Sequence, residues 1–287
     1  MLIQYKVTLQ ALRPLHWPHF AGGRLRGAFG RALRQAACIT LAADCQGCPL
    51  RNTCAYGQVF DPAAPTQALH PSFRDGIAAY VIQPPALGAH TMQPGDKCEF
   101  LLRLLPPATA HQSLLKLTLQ AAVETHLFSP GDCALQGLEI QSISLAEEAP
   151  ASQRIALQWL TPLRLQQQGK PLNEGRQLDA LVLVRAVLRR QLQWNQLSGQ
   201  AAQPPEPFLQ AATQCVLDAR QLQWHEISRY SNTQSQKLPL DGLIGSAVLT
   251  GPAGALQTLQ PLLRLGELLH IGKATVFGLG HYQMRVD

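Results

Sequence analysis

One order of secondary-structure signals is written twice in this chain, on either side of Glu147-Glu148-Ala149-Pro150, and it limits the fold more than any other feature. Before that break, Ile3, Tyr5, Val7, Leu9 and Ala11 alternate with Gln4, Lys6, Thr8 and Gln10, the period of a half-buried strand. A loop with His16, Trp17, His19 and Gly22-Gly23 leads into Leu25, Ala28, Phe29, Ala32, Leu33 and Ala36, which share one face of a helix. Strand-like runs at 78–83 and 98–105 are divided by Pro84-Pro85 and Pro94-Gly95. Residues 111–128 lack alternation and read as a helix, and 134–145 read as a strand.

After the break the order restarts. A strand at 154–165 precedes a helix at 178–192 and further helical residues at 208–217. Residues 221–230 and 240–250 read as a long hairpin, 255–265 as a short helix and 281–286 as a last strand. Strand, helix, strand, strand, helix, strand is the split βαβ pattern. The expectation is an α+β protein of two tandem ferredoxin-like domains, 1–146 and 151–287. A hydrophobic content of 46% is ample for two cores. No run approaches the roughly 20 apolar residues that span a bilayer, and residues 1–6 lack the apolar stretch of a signal peptide. The expected setting is the cytoplasm, with no membrane partner.

Charge is uneven. The formal net charge is +6, and residues 1–60 hold seven Lys and Arg against Asp44 alone, so the excess lies in the first fifth of the chain. Such a patch suits a polyanion. Arg24 and Arg26 fall in the first turn of the expected helix, where its dipole disfavours cations. An anion admitted by Gly22-Gly23 would remove that conflict. Arg24, Arg26, Arg31 and Arg34 are therefore candidate phosphate contacts.

Cys38, Cys45, Cys48 and Cys54 follow at C-x6-C-x2-C-x5-C spacing. In a cytosolic chain such clustering favours a structural metal, and four thiolates suit tetrahedral zinc. An iron–sulfur cluster and unmetallated thiols are the alternatives. Four thiolates leave no open coordination position, so zinc there would form a small insertion in the first domain without doing chemistry. Cys98, Cys133 and Cys215 are isolated and expected to be buried.

The segment 270–280 holds Gly272, Gly278, Gly280 and Lys273. Glycines leave backbone N–H groups uncovered beside a cation, which suits a phosphate chain. It is not a Walker loop, because its Gly-Lys pair opens the segment, and a strand follows it where a dinucleotide fingerprint needs a helix.

Two ferredoxin-like units, a basic early helix and a glycine-rich loop before the last strand resemble the RAMP superfamily of CRISPR-associated RNA-binding proteins. Trp224 to Ser231, as W-x-x-x-x-R-Y-S, and His270 to Gly280, as h-x-G-K-x-T-x-F-G-x-G, resemble its precursor-crRNA-processing endoribonucleases, the Cas "six" group. Leu25 to Arg34 and the cysteines after them are similar to members with a cysteine cluster. The resemblance implies metal-independent cleavage of CRISPR repeat RNA: a 2′-hydroxyl attacks the scissile phosphate, leaving a 2′,3′-cyclic phosphate and a 5′-hydroxyl. It implies His16 or His19 as general base or acid, and Arg229, Tyr230 and Ser231 as further catalytic groups. Lys237, His270, Gly272, Lys273, Gly278 and Gly280 are implied RNA contacts. The partners implied are repeat RNA or crRNA and other CRISPR effector subunits. A non-catalytic RAMP subunit that only holds crRNA would show the same features.

Overall fold

The N-terminal alternation becomes β1 (Leu2–Ala11), which buries Tyr5, Val7, Leu9 and Ala11. The computed structural model describes residues 1–73, 76–144, 150–231 and 236–287, and for residues 72, 229–231 and 236–238 the backbone alone. Glu147, Glu148 and Ala149 of the expected linker lie outside the described residues. The chain forms two compact units, Met1–Ile143 with Gln193–Ala201 and Ser144–Leu192 with Ala202–Asp287.

In the first unit, β2 (Leu15–Trp17) precedes α1 (Gly22–Ala37), the short α2 (Ala55–Val59), β3 (Tyr80–Gln83), β4 (His90–Met92) and β5 (Lys97–Leu104). Next come α3 (Gln112–Ala121), which runs on as a π-helical segment over Ala122–Leu127, and β6 (Cys133–Ile143). The sheet order is β3-β5-β1-β6 with every pairing antiparallel. Counting only those four strands, the order is second, third, first, fourth, the ferredoxin-like arrangement expected. Part of the expected loop around His16 is instead β2, which pairs with β4 and sets His16 opposite Thr91. Trp17 explains the difference: it is 1% exposed and packs on Phe128 at 5.7 Å between ring centroids, so its backbone is held extended.

The second unit opens with β7 (Arg154–Leu163), then a small hairpin of β8 (Gln166–Gln167) and β9 (Lys170–Pro171). There follow α4 (Ala180–Ser198), α5 (Glu206–Thr213), β10 (Val216–Asp218), β11 (Gln223–His225), β12 (Ser228–Ser231), β13 (Gln236–Pro239), β14 (Gly242–Thr250), α6 (Ala253–Leu269) and β15 (Tyr282–Val286). The main path β10-β14-β7-β15 again reads second, third, first, fourth. Ile155, Leu157, Trp159 and Leu163 of β7 face a core completed by Leu183, Val187, Leu256, Leu259 and Tyr282. Helix α6 exceeds the expected 255–265 because the apolar face of Leu256, Leu259, Leu262, Leu263 and Leu269 continues past Pro261.

The expected long hairpin is divided in two. β11 pairs with β14, whereas β12 pairs with β13 in a separate two-stranded ribbon. The break has a local cause: the Ile227 N–H donates to the Asp241 carboxylate at 2.9 Å, and Leu240 N–H donates to the Ile227 carbonyl at 2.7 Å. These bonds close the base of the ribbon and release it from the main sheet.

Candidate nucleic-acid interface

The basic helix α1 has its cations engaged within its own unit. Arg31 donates to the His126 carbonyl at 2.7 Å and Arg24 to the Leu127 carbonyl at 3.1 Å. These are the last carbonyls of the π-helical segment, where the backbone leaves unpaired acceptors and a partial negative charge. Arg24 also lies over the Phe128 ring at 4.8 Å and Arg26 over Phe60 at 4.4 Å. Arg34 donates to the carbonyls of Ala42 and Ala43. For Arg24 the offsetting partial charge thus comes from a neighbouring helix end, with no external anion required, while Arg26 rests on an aromatic face. His16 and His19 precede α1 and are exposed.

In the second unit, the carboxyl end of β7 is the common anchor of two loops. The Arg164 carbonyl accepts the Lys273 N–H at 2.9 Å, and the Pro162 carbonyl accepts the Gly280 N–H at 2.9 Å. The Arg164 guanidinium donates to the Pro239 carbonyl, at the foot of the β12–β13 ribbon. A Cβ on Gly242, where β14 begins, would stand 2.6 Å from the Leu163 carbonyl. Residues 161–164 therefore hold the glycine-rich segment and the ribbon bearing Arg229, Tyr230, Ser231 and Lys237. Within the ribbon, Tyr230 pairs with Lys237 and Arg229 with Leu238 along the backbone. The side chains of Arg229, Tyr230, Ser231 and Lys237 lie outside the described residues.

The glycine-rich segment is a tight, mostly left-handed path. His270, Gly272, Ala274, Gly278 and Gly280 have φ of 59°, 87°, 61°, 88° and 72°. Glycine is needed at 280, where a Cβ would stand 1.8 Å from the Ile271 carbonyl, and at 272, where it would stand 2.5 Å from that of Arg164. Ala274 adopts the left-handed region without glycine's freedom, a strain of about 1 kcal/mol or more that the surrounding bonds maintain. A single turn over Thr275–Phe277 follows, closed by Phe277 N–H to Ala274 and Gly278 N–H to Thr275. Among the described residues no partner is found for the N–H groups of Ala274, Thr275 and Val276. Successive N–H groups around a left-handed residue form a concavity that suits an anion.

Lys273 is exposed and donates to the Gln166 side chain on β8, and Lys170 is exposed on β9. His270 is fully buried, its ring stacked on His281 at 4.8 Å, so it anchors the segment and does not face solvent. Sequence reasoning missed Thr161, Arg164, Gln166 and Lys170. Only Thr161 left a trace, as the one polar residue in the inward row of β7.

The four clustered cysteines line one cavity of about 20 Å³. Cys38 and Cys48 flank the Thr40 hydroxyl at 3.7 and 3.8 Å, and Cys54 donates to the Ala37 carbonyl at 3.8 Å. The Thr40 hydroxyl, with the Leu41 backbone and Arg34, holds the Cys38 thiol below its ordinary pKa, whereas burial and Asp61 push Cys45 up. Among the described residues no three His, Cys, Asp or Glu side chains stand where they would hold a metal ion. The expected zinc site is therefore not supported. Three of the thiols, those of Cys38, Cys48 and Cys54, engage a hydroxyl or a carbonyl. Cys98, Cys133 and Cys215 are buried, as expected.

Residues 157–282 match the family model of the CRISPR-associated endoribonuclease Cas6, and residues 1–159 match a separate model described as an N-terminal domain. No curated protein matches the chain by sequence. A Thermus thermophilus Cas6 in a product complex is similar in fold, with 15% identity, 99% of this chain and 100% of that one covered, and a TM-score of 0.60. A RAMP protein binding different RNA substrates is similar at 10% identity, with 99% of each chain covered and a TM-score of 0.52. A chain of a partial Cas6-RT-Cas1–Cas2 complex is similar at 14% identity and TM-score 0.55, with all of this chain and 46% of that one covered. At these identities the likeness shows the fold.

Proposed function

We propose, from the match of residues 157–282 to the family model of the CRISPR-associated endoribonuclease Cas6, that this chain is a member of that family, binds CRISPR repeat RNA and cleaves precursor crRNA without a catalytic metal. In this reading the 2′-hydroxyl upstream of the scissile phosphate attacks it, leaving a 2′,3′-cyclic phosphate and a 5′-hydroxyl. That chemistry needs a base at the 2′-hydroxyl, an acid at the leaving 5′-oxygen and positive charge around the phosphorane.

The observation that carries the reading is the clamped glycine segment: N–H groups of Ala274, Thr275 and Val276 without a partner among the described residues, beside exposed Lys273, on the strand end that also holds the ribbon. Lys273 and these N–H groups, with the exposed backbone at Gly272, grip the RNA backbone, whereas Gly278 and Gly280 are buried with their N–H groups bonded to the Thr275 and Pro162 carbonyls and serve to shape the segment. Arg229, Tyr230 and Ser231 hold and orient the scissile phosphate, with Lys237 opposite Tyr230. His16 or His19 transfers a proton. Arg24, Arg26, Arg31 and Arg34 have an RNA role secondary to the bonds they make within their unit. His270 supports the segment from beneath. Association with other CRISPR proteins follows from the same reading.

The test is labelled repeat RNA in EDTA under single turnover. One cut ending in a cyclic phosphate is expected, with losses above about tenfold, roughly 1.4 kcal/mol, for at least one of His16→Ala, His19→Ala and Tyr230→Phe. Tight binding without any cut would instead assign the chain as a non-catalytic RAMP subunit.

A further inference from the structure

Thr161 stands where an apolar residue would serve the core. Its neighbours in the inward row of β7, Ile155, Leu157, Trp159 and Leu163, are all apolar and buried, and Thr161 itself is 2% exposed. A buried hydroxyl is costly unless its donor and acceptor are both used. Here both are used, one by the glycine-rich segment and the other by His281, the residue that follows it. Thr161 Oγ1 donates to the Gly278 carbonyl at 2.8 Å and accepts the His281 N–H at 2.9 Å.

These two bonds bracket the turn back into β15. The regular ladder between β7 and β15 pairs Tyr282 with Trp159. Above it, Leu160 N–H donates to the His281 carbonyl at 3.0 Å, and the His281 N–H donates to the threonine side chain. Fixing Gly278 and His281 fixes Gly280 between them. The Gly280 carbonyl accepts the Ile271 N–H at 3.1 Å, and two residues on the Lys273 N–H reaches the Arg164 carbonyl at 2.9 Å. A continuous set of bonds thus runs from the Thr161 hydroxyl to the residue that carries the exposed cation. Threonine suits the position twice over: its branched Cβ fits a strand, and its hydroxyl supplies what valine of the same shape lacks.

We propose that Thr161 is a positioning residue for RNA-backbone binding, its hydroxyl holding the glycine-rich segment in the shape that presents Lys273 and the N–H groups of Ala274 to Val276 to a phosphate. The inference rests on the proposed function of that segment. Thr161 touches no substrate itself.

The experiment compares Thr161→Val, Thr161→Ser and the wild type, with Lys273→Ala introduced into each, by repeat-RNA affinity across a salt series and by amide hydrogen exchange of the RNA-free protein. Thr161→Val should weaken RNA binding at least tenfold and flatten the salt dependence, while cleavage at saturating RNA stays within about threefold. Lys273→Ala should then cost less in the valine background than in the wild type. Thr161→Ser should bind within about twofold of the wild type, a rescue that a purely volumetric role would not produce. Exchange at His281 and Gly280 should rise at least tenfold in Thr161→Val and little in Thr161→Ser. Valine binding within twofold of wild type, additive losses with Lys273→Ala, or a serine variant as weak as valine would overturn the inference. If the wild type binds no repeat RNA, the functional reading fails, and the exchange rates still decide whether the hydroxyl holds the segment. Should Thr161→Val not fold, the serine variant decides alone: exchange at His281 and Gly280 tenfold or more faster than in the wild type overturns the inference.

Discussion

Arg31 of the first unit and Lys273 of the second are both exposed cations near glycines, but their surroundings differ in kind. The Arg31 guanidinium ends on the His126 carbonyl, as Arg24 ends on Leu127, so both neutralise a helix end inside their own unit. Lys273 bonds to a neutral glutamine side chain, and N–H groups without partners among the described residues follow it. One basic region is bound up with holding elements together, and the other presents a cation and open donors. Net charge counts the two alike; only the location of the acceptors separates them.

The severest test of that contrast is the glycine path. Gly280→Ala places a methyl 1.8 Å from the Ile271 carbonyl at a φ of 72°. We expect a loss of about 3 kcal/mol in stability, from clash and left-handed strain together, and RNA binding weakened more than tenfold. Urea denaturation and filter binding measure the two. Unchanged RNA affinity would show that the segment's shape is irrelevant to binding and remove the basis of the comparison.

Lys273→Ala comes next and sharpens the contrast by separating affinity from stability. An exposed lysine contributes little to folding, so stability should stay within about 0.5 kcal/mol. RNA affinity should fall about tenfold at low salt, and the slope of log affinity against log salt should flatten by about 0.7, the increment for one phosphate neutralised on a single strand. A drop in affinity with an unchanged slope would mean that Lys273 acts through its bond to Gln166 and not on a phosphate.

The fold was largely legible because its signals are local. Alternation in residues 2–11, the apolar face of α1 and the glycines of 270–280 each follow from neighbours a few residues apart. What stayed hidden depended on distant partners. Trp17 forms a strand because Phe128 covers it, and the hairpin divides because Asp241 captures the Ile227 N–H. The site shows the same division. Gly272 and Lys273 are readable as a phosphate-friendly pair, whereas the strand end that organises them, Thr161 to Arg164, has no motif of its own. The cysteine spacing brought four thiols to one cavity, where Thr40 and the Ala37 carbonyl engage three of them, partners that the spacing does not reveal.

The smallest expected effect lies on the other side of the comparison, at Arg31. Removing it should leave RNA affinity within about twofold and the salt slope unchanged, since its guanidinium already has a partner. Stability should fall by about 1 kcal/mol, below the usual range for a charged donor because the site is exposed. The change should also be visible in a titration. Burial, and secondarily Arg31, hold the His126 imidazole below its ordinary pKa. A histidine depressed in the folded state favours folding fully above its ordinary value near 6.5, and that contribution is lost as pH falls through the ordinary value toward the folded one. Arg31→Ala removes the repulsion, so the His126 pKa should rise and the acid-side loss of stability should shrink, which proton NMR of the imidazole and denaturation at pH 5 and pH 8 can follow. If Arg31→Ala instead weakens RNA binding tenfold and leaves His126 unmoved, Arg31 belongs with Lys273 among the phosphate contacts.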